Sequence, residues 1–408
     1  MAIALERNAS AVTGGSFGPQ WDLGDEEIEQ LIVVIRSGKL SRLGGTKVVQ
    51  LEQDFAARVG ARYAQAVTSG TAAVHTAVGV LDPNPGDEII TTGVTDFGTV
   101  IGLLYQNAVP VFADVDPRTG NLDPASVESL ITERTRAIVL VHLYGNPCPL
   151  DAFVALAKKH NLALVEDCAQ AQGAEYGGRS VGTWGDLGCF SFGGKQMTTG
   201  DGGMVITHRD DLAERLKWFP DKGNPRRPHY QHYYLSPNYR MTELQGAVGV
   251  AQLRKVDEVV RRKRAAAAYL NEVVSRQEGL RVTPVQPGAK HAYWVYGFQI
   301  DPSVIRVPVA DFARALQAEG VPVNAPYLEK PIYQYPALAE PHLYGESRFP
   351  WTLPGAAEVD FANLHLPGVE TFLATTAVLT MNPSFTQAHV QHFGDAIQKV
   401  AARYRDQR

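Results

Sequence analysis

Two unbroken apolar stretches set the strongest limit on how this chain can fold. Ala137–Val141 reads AIVLV and Leu162–Glu166 reads LALVE, each of strand length and neither alternating apolar with polar residues. A strand wetted on one face alternates. A strand without alternation needs cover on both faces, which parallel sheets receive from their connecting helices. The neighbouring chain has that rhythm: Ala64–Val67 reads as a strand, Thr71–Val80 as a helix, and Glu88–Thr92 and Val109–Phe112 as strands. Asp123 followed by Pro124 reads as a helix cap and first turn. This order predicts an α/β domain with a mostly parallel central sheet covered by helices.

Upstream, past Gly14, Gly15 and Gly18, Asp25 is placed to cap a helix with Ile28, Leu31, Ile32 and Ile35 on one face. A second helix carries Val49, Phe55 and Val59. Downstream, Thr242-Glu243-Leu244-Gln245 has the capping-box pattern, a hydroxyl at the cap and Gln three residues on. A long helical stretch follows from about Glu243 to Ser275, and the basic run Arg261–Arg264 inside it reads as a solvated face. Beyond it proline is more frequent and the alternation less regular. At 408 residues the chain has room for two or three domains. We expect a large domain over 1–255, including an N-terminal arm, and a smaller α+β domain over 256–408.

Composition excludes several classes of partner. With 43 acidic and 38 basic residues and a net charge of −5, no electrostatic footprint for nucleic acid is present. Cys148, Cys168 and Cys189 are widely spaced with no C-x-x-C pair, which fits neither a disulfide framework nor a zinc site and suits a reducing compartment. Glu6 and Arg7 interrupt the opening where a signal peptide needs a continuous apolar stretch. No apolar run approaches the roughly 18 residues of a membrane span. The expectation is a soluble, cytoplasmic protein without a metal, whose partners are small molecules and a second copy of itself.

The sharpest chemical signal lies between Glu166 and Gly203. Asp167 stands where the LALV run ends, and residues just past strand C-termini are where open α/β sheets place ligands. Taken alone, it also suits a capping or turn Asp. Lys195 closes a segment of Gly, Phe, Ser and Cys, GDLGCFSFGGK. An exposed loop Lys is the commoner case, but a Lys among apolar residues has its pKa lowered, which is what a Schiff-base amine needs. Ser69-Gly70-Thr71-Ala72 lies at a strand-to-helix junction, where hydroxyls and backbone N–H groups suit an anion. An amine, a strand-end carboxylate and an anion site together point to one ligand with an aldehyde, a ring nitrogen and a phosphate. Pyridoxal phosphate has all three. The aromatic cluster of His229, Tyr230, His232, Tyr233 and Tyr234 suits a substrate pocket or a surface loop, and Arg226-Arg227 a solvated basic pair.

Further blocks are Pro85-Gly86-Asp87-Glu88-Ile89-Ile90, Pro110-Val111-Phe112-Ala113-Asp114-Val115-Asp116 and Glu166-Asp167-Cys168-Ala169-Gln170-Ala171. Thr199-Gly200-Asp201-Gly202-Gly203, Asn238-Tyr239-Arg240-Met241-Thr242-Glu243-Leu244-Gln245 and His291-Ala292-Tyr293-Trp294 follow. In this order, from about Trp21 to the C-terminus, they resemble the DegT/DnrJ/StrS aminotransferases, the sugar and cyclitol branch of fold-type I pyridoxal-phosphate enzymes.

The resemblance implies a role for each matching residue. Lys195 would form the internal aldimine and then move the proton between cofactor and substrate carbon. Asp167 would keep the pyridine nitrogen protonated, and Gln170 would contact the ring's 3-oxygen. Thr71 and Ala72, beside Gly70 and with Ser191, would hold the phosphate. The neighbouring subunit of a homodimer would complete that site with Asn238 or Arg240. Two departures stand out. Asp96 occupies the position where relatives stack an aromatic ring on the cofactor, with Phe97 beside it, so either Phe97 takes that role or an acid faces the ring. The spacing from Ser191 to Lys195 is also one residue shorter than in most relatives.

The expected activity is transfer of an amino group from glutamate or glutamine to a keto sugar or keto cyclitol, in amino-sugar or aminocyclitol natural-product (antibiotic) biosynthesis. The alternatives are a pyridoxal-phosphate sugar dehydratase or lyase, and a non-catalytic protein of the same fold. Relatives that dehydrate replace the lysine with His, and this chain keeps Lys. The opening from Gly14 to Trp21 is similar to that of relatives acting on cyclitol ketones or making aminohydroxybenzoate.

Overall fold

The computed structural model describes residues 21–226, 230–340, 343–353 and 360–405. The Gly14–Gln20 opening, Arg227 and His229 lie outside the described residues. In chain order the first part contains α1 (Asp25–Ser37), α2 (Lys47–Val59), β1 (Tyr63–Val67), α3 (Gly70–Leu81), β2 (Glu88–Thr92), α4 (Gly98–Tyr105), β3 (Val109–Ala113) and α5 (Pro124–Ser129). It continues through β4 (Thr135–Val141), α6 (Leu150–His160), β5 (Ala163–Asp167), the short pair β6 (Glu175–Tyr176) and β7 (Arg179–Ser180), β8 (Leu187–Ser191), β9 (Gly203–Thr207) and α7 (Asp210–Trp218). The seven-stranded sheet has the order β1-β9-β8-β5-β4-β2-β3. Neighbours from β8 to β3 pair in parallel, and β9 alone runs against the rest.

The two apolar runs are the central strands β4 and β5, and the sheet shows why they do not alternate. Ile138, Leu140 and Leu164 point into a core shared with Phe55 of α2 and Phe153 of α6. Ala137, Val139 and Val165 point the other way, into a core with Val74 and Val78 of α3. Because strand side chains alternate between faces, two covered faces demand apolar residues at every position.

The second part begins on α8 (Glu243–Ser275), whose start is the anticipated capping box. The Thr242 hydroxyl accepts from Gln245 N–H at 3.3 Å, and Thr242 N–H donates to Gln245 Oε1 at 3.1 Å. It continues with β10 (Leu280–Val282), β11 (Ala289–Lys290), β12 (Val295–Ile300), α9 (Val309–Ala318), β13 (Val323–Asn324), α10 (Pro336–Ala339), α11 (Pro367–Thr375), β14 (Thr376–Thr380) and α12 (Gln387–Arg405). The strands β10-β12-β14-β13 form an antiparallel sheet, while β11 joins β6 and β7. Val250, Leu253, Val256 and Val260 of α8 belong to the core of the large sheet. Ala267, Leu270 and Val273 belong to the core under the small one. The fold is α/β with a mostly parallel sheet and a smaller α+β part, as the sequence predicts.

Three local expectations need correction. Gly24, not Asp25, is the residue at the start of α1, and its N–H donates to the Glu27 carboxylate at 2.8 Å. Asp25 instead lies in the first turn, where its charge faces the positive end of the helix. Among the described residues, the expected apolar face of α1 enters no core. Ile28, Ile32 and Ile35 are 53, 41 and 60 % exposed, and the buried residues of this helix are Glu27 and Val34. Finally, the basic run on α8 is not a uniformly solvated face: Arg261 is exposed, but Lys263 is buried, and Arg264 donates to the carbonyls of His291 and Gly173.

Candidate active site

The site forms at the C-terminal ends of the parallel strands, the edge where neighbouring chain segments diverge and leave a crevice. Asp167 is the last residue of β5 and Ser191 the last of β8. The α3 helix starts beside them, with the Ser69 hydroxyl capping it by accepting the Ala72 N–H at 3.0 Å. Gly70 permits this approach, since a Cβ there would lie 2.6 Å from the Ser191 Cβ. A cavity of about 360 Å3 results, lined among others by Thr71, Asp96, Asp167, Gln170, Ser191 and Lys195.

Asp167 is 4 % exposed. Its Oδ2 accepts the Thr99 hydroxyl at 2.8 Å and its Oδ1 accepts the Ala169 N–H at 3.0 Å. Burial raises its pKa, the two hydrogen bonds pull it back, and the nearby Asp96 charge raises it further. A buried carboxylate that faces a cavity with two neutral donors calls for a cationic partner from the ligand. Across the cavity, burial lowers the pKa of the Lys195 amine, while Asp96 and Asp167 raise it. Its Nζ lies 3.7 Å from the centre of the Trp294 ring. A desolvated amine of this kind is an activated nucleophile for a carbonyl.

Gln170 is held at both ends of its amide. Its Oε1 accepts the Tyr144 N–H at 2.6 Å, and its Nε2 donates to the Tyr327 hydroxyl at 3.3 Å. Glu166, one residue before Asp167, points to the opposite face of β5. It accepts the N–H groups of Gly182, Trp184 and Gly185 at 2.7 to 2.8 Å and the Nε2–H of His142 at 3.0 Å. His142 Nδ1 accepts the Cys148 N–H at 3.0 Å, which fixes the proton on Nε2. His142, Glu166 and Cys168 lie close enough to suggest a metal cluster, but the imidazole and the carboxylate are already committed to these bonds.

The structure brings Gly70, Thr71, Asp96, Asp167, Gln170, Ser191 and Lys195 to one cavity. Ala72 contributes its N–H to the capped first turn of α3 and does not line the space. Phe97 is a correction: its ring stacks on Tyr335 at 6.0 Å, outside the cavity, and it is Asp96 that faces in, its Oδ1 accepting the Gly98 N–H at 2.8 Å. Asn238 and Arg240 do not line the cavity of their own chain, and the Arg240 guanidinium pairs with Asp221. Tyr230 and Tyr233 are exposed, and Arg226 also pairs with Asp221. The sequence reading missed Thr99 and gave Trp294 no role. The Thr99 signal was a hydroxyl in the first turn of the helix that follows β2; Trp294 comes from the second part of the chain and carries no local signal.

These features fit pyridoxal phosphate. The amine can meet its aldehyde and the buried carboxylate its ring N–H. The α3 N-terminus with Thr71 and Ser191 offers N–H and hydroxyl donors of the kind a phosphate takes.

Comparison with known proteins agrees. Residues 22–398 match the model of the DegT/DnrJ/EryC1/StrS aminotransferase family. The chain is 39 % identical to GDP-perosamine synthase of Caulobacter vibrioides over 296 residues, covering 71 % of this chain and 80 % of that protein. It is 36 % identical to L-glutamine:2-deoxy-scyllo-inosose aminotransferase of Streptoalloteichus tenebrarius over 365 residues, 84 % of each chain. The fold superposes on an aminotransferase from Psychrobacter cryohalolentis with a TM-score of 0.84 at 29 % identity, covering 95 % of this chain and 100 % of that one. With a matching family model over nearly the whole length and a site built for the cofactor's aldehyde, ring and phosphate, the chain belongs to the DegT/DnrJ/EryC1/StrS aminotransferase family and is a pyridoxal-phosphate-dependent aminotransferase.

Proposed function

We propose that this enzyme carries an amino group from glutamine or glutamate to the ketone of a sugar or cyclitol, as a step in the biosynthesis of an amino sugar or aminocyclitol. The observation that carries the reading is the pairing of the Lys195 amine with the Asp167 carboxylate in one cavity at the strand ends. The relatives named above, one a GDP-perosamine synthase and one a glutamine:scyllo-inosose aminotransferase, support this acceptor class and, in the second case, the donor.

When bound, pyridoxal phosphate supplies an aldehyde that condenses with amines and a protonated ring that draws electrons from the carbon being aminated. Lys195 would hold that aldehyde, and its Nζ would hold and move the proton during transfer. Asp167 keeps a proton on the ring nitrogen, its own geometry fixed by Thr99 and Ala169. Gln170, held by Tyr144 and Tyr327, would offer its remaining amide N–H to the ring's 3-oxygen. Gly70, Thr71 and Ser191, which line the cavity, would seat the phosphate, and Asp96 would face the cofactor from the same cavity.

The enzyme acts as a homodimer with a shared site. The exposed isoleucines of α1, with Val33, Leu40 and Leu43 also exposed, form an apolar surface of the kind that pairs subunits. A partner's Asn238 or Arg240 then reaches the phosphate.

The test is a panel of keto sugars, free and nucleotide-linked, and keto cyclitols, incubated with glutamine or glutamate and read for new amines by mass spectrometry. A new amine on one acceptor class supports the reading. Loss of water without amine formation points to a dehydratase instead.

A further inference from the structure

Lys263 is the one member of the basic run on α8 that turns inward, and it is 3 % exposed. It sits between the segment of α8 that packs under the large sheet and the segment that packs under the small one. Among the described residues no carboxylate pairs with it, and its hydrogen bond runs to the main-chain carbonyl of Trp294 at 3.4 Å. Burying an amine with so little compensation is costly, and burial, with the charge of Lys195 nearby, pushes its pKa down to about 7. The hydrogen bond to Trp294 is the contact that offsets part of this cost.

Trp294 stands between two lysines. Its carbonyl accepts Lys263, and its N–H donates to the Tyr144 carbonyl at 2.8 Å. Its ring lies 3.7 Å from the Nζ of Lys195. Both main-chain groups of Trp294 are thus anchored, one to the turn after β4 and one to α8, and the indole is aimed at the amine between these anchors. The preceding residues are fastened as well: Ala292 N–H bonds the Gly145 carbonyl at 2.9 Å, and Arg264 bonds the His291 carbonyl at 2.9 Å.

We propose that Lys263 is a positioning residue for the cofactor-binding lysine, fixing the Trp294 carbonyl so that the indole covers the Lys195 amine and keeps water from it. The proposal rests on reading Lys195 as the amine that takes the cofactor. A neutral amine serves as well as an ammonium here, since either donates to a carbonyl. Without the anchor, the indole loosens and water reaches Lys195, which favours its protonated, unreactive form.

The experiment measures the rate at which Lys195 is acylated in the full-length, cofactor-free protein as a function of pH, read by peptide mass spectrometry. Lys263→Met, Trp294→Ala and the double variant are compared with the parent, with the fold checked by circular dichroism. Lys263→Met is expected to slow acylation near pH ~8 at least about twofold, the lower end of coupling for residues in contact. In the Trp294→Ala background the same change is expected to have no further effect. Lys263→Arg, which keeps a donor, is expected to hold the parent rate, and remains informative if Lys263→Met does not fold: a loss of rate in folded Lys263→Arg overturns the proposal. So does an unchanged rate in folded Lys263→Met, or an equal effect in both backgrounds. The readout needs no turnover, so failure of the acceptor panel and failure of this proposal are separate results.

Discussion

The Thr99 hydroxyl donates to Oδ2 of Asp167 at 2.8 Å, joining the first turn of α4 to the end of β5. This bond favours the charged carboxylate against a burial that disfavours it. It is therefore part of what keeps Asp167 charged in the role proposed for it.

Thr99→Val is expected to weaken cofactor retention and lower turnover about tenfold, the effect of about 1.4 kcal/mol lost at one hydrogen bond to a charged group. Equilibrium dialysis against free pyridoxal phosphate, with steady-state kinetics, measures both quantities.

Asp167→Asn separates activity from stability. Turnover is expected to fall at least about a hundredfold, because a neutral amide cannot hold the ring proton. Stability of the cofactor-free protein moves the other way. A carboxyl whose folded pKa is raised favours folding when protonated and loses that contribution as pH rises through the folded value. At neutral pH the carboxylate is thus a burden that the amide lacks, and a thermal unfolding midpoint at or above the parent's is expected.

Lys195→Ala is expected to abolish the visible absorbance band of the bound cofactor and to leave the fold intact. A lysine with a depressed folded pKa destabilises most when charged, and this penalty fades as pH rises toward the unfolded value. The stability advantage of Lys195→Ala is therefore expected near neutrality and to shrink toward pH ~10.4, the ordinary lysine value. Thermal melts across pH with and without the substitution show the trend.

Asp96 raises the proton affinity of both Lys195 and Asp167. Asp96→Asn is expected to move the acid limb of the pH–rate profile for cofactor capture downward, since Lys195 then loses its proton more readily. An upward shift, or none, contradicts this assignment of Asp96 to the cavity field.

The shared site proposed above makes a complementation prediction. Ile32→Asp together with Val33→Asp is expected to yield a monomer in sedimentation and activity reduced at least about a hundredfold, as a buried unpaired charge pair opens the interface. Mixing inactive Lys195→Ala with a double Asn238→Ala, Arg240→Ala variant is expected to restore activity, because the mixed dimer holds one intact site.

Much of the site was legible because its residues lie on local patterns. Asp167 follows an apolar strand, Ser69 to Ala72 begin a helix after one, and Lys195 ends a run poor in other charged residues. Phe97 against Asp96 was not legible. They are adjacent, and which one turns inward depends on the Tyr335 ring against which Phe97 packs, a contact 238 residues away in sequence.

The chain's own pattern of apolar runs determined the parallel sheet, its double cover and the strand end that carries Asp167, since strand and helix periodicities are local properties. Tertiary structure alone decided which charges leave solvent. Arg261 and Lys263 are neighbours in one basic run, yet only the packing of α8 between two cores turns the second away from water and onto the carbonyl of Trp294. Burial is a property of what surrounds a residue, and the elements that surround Lys263 come from distant parts of the chain.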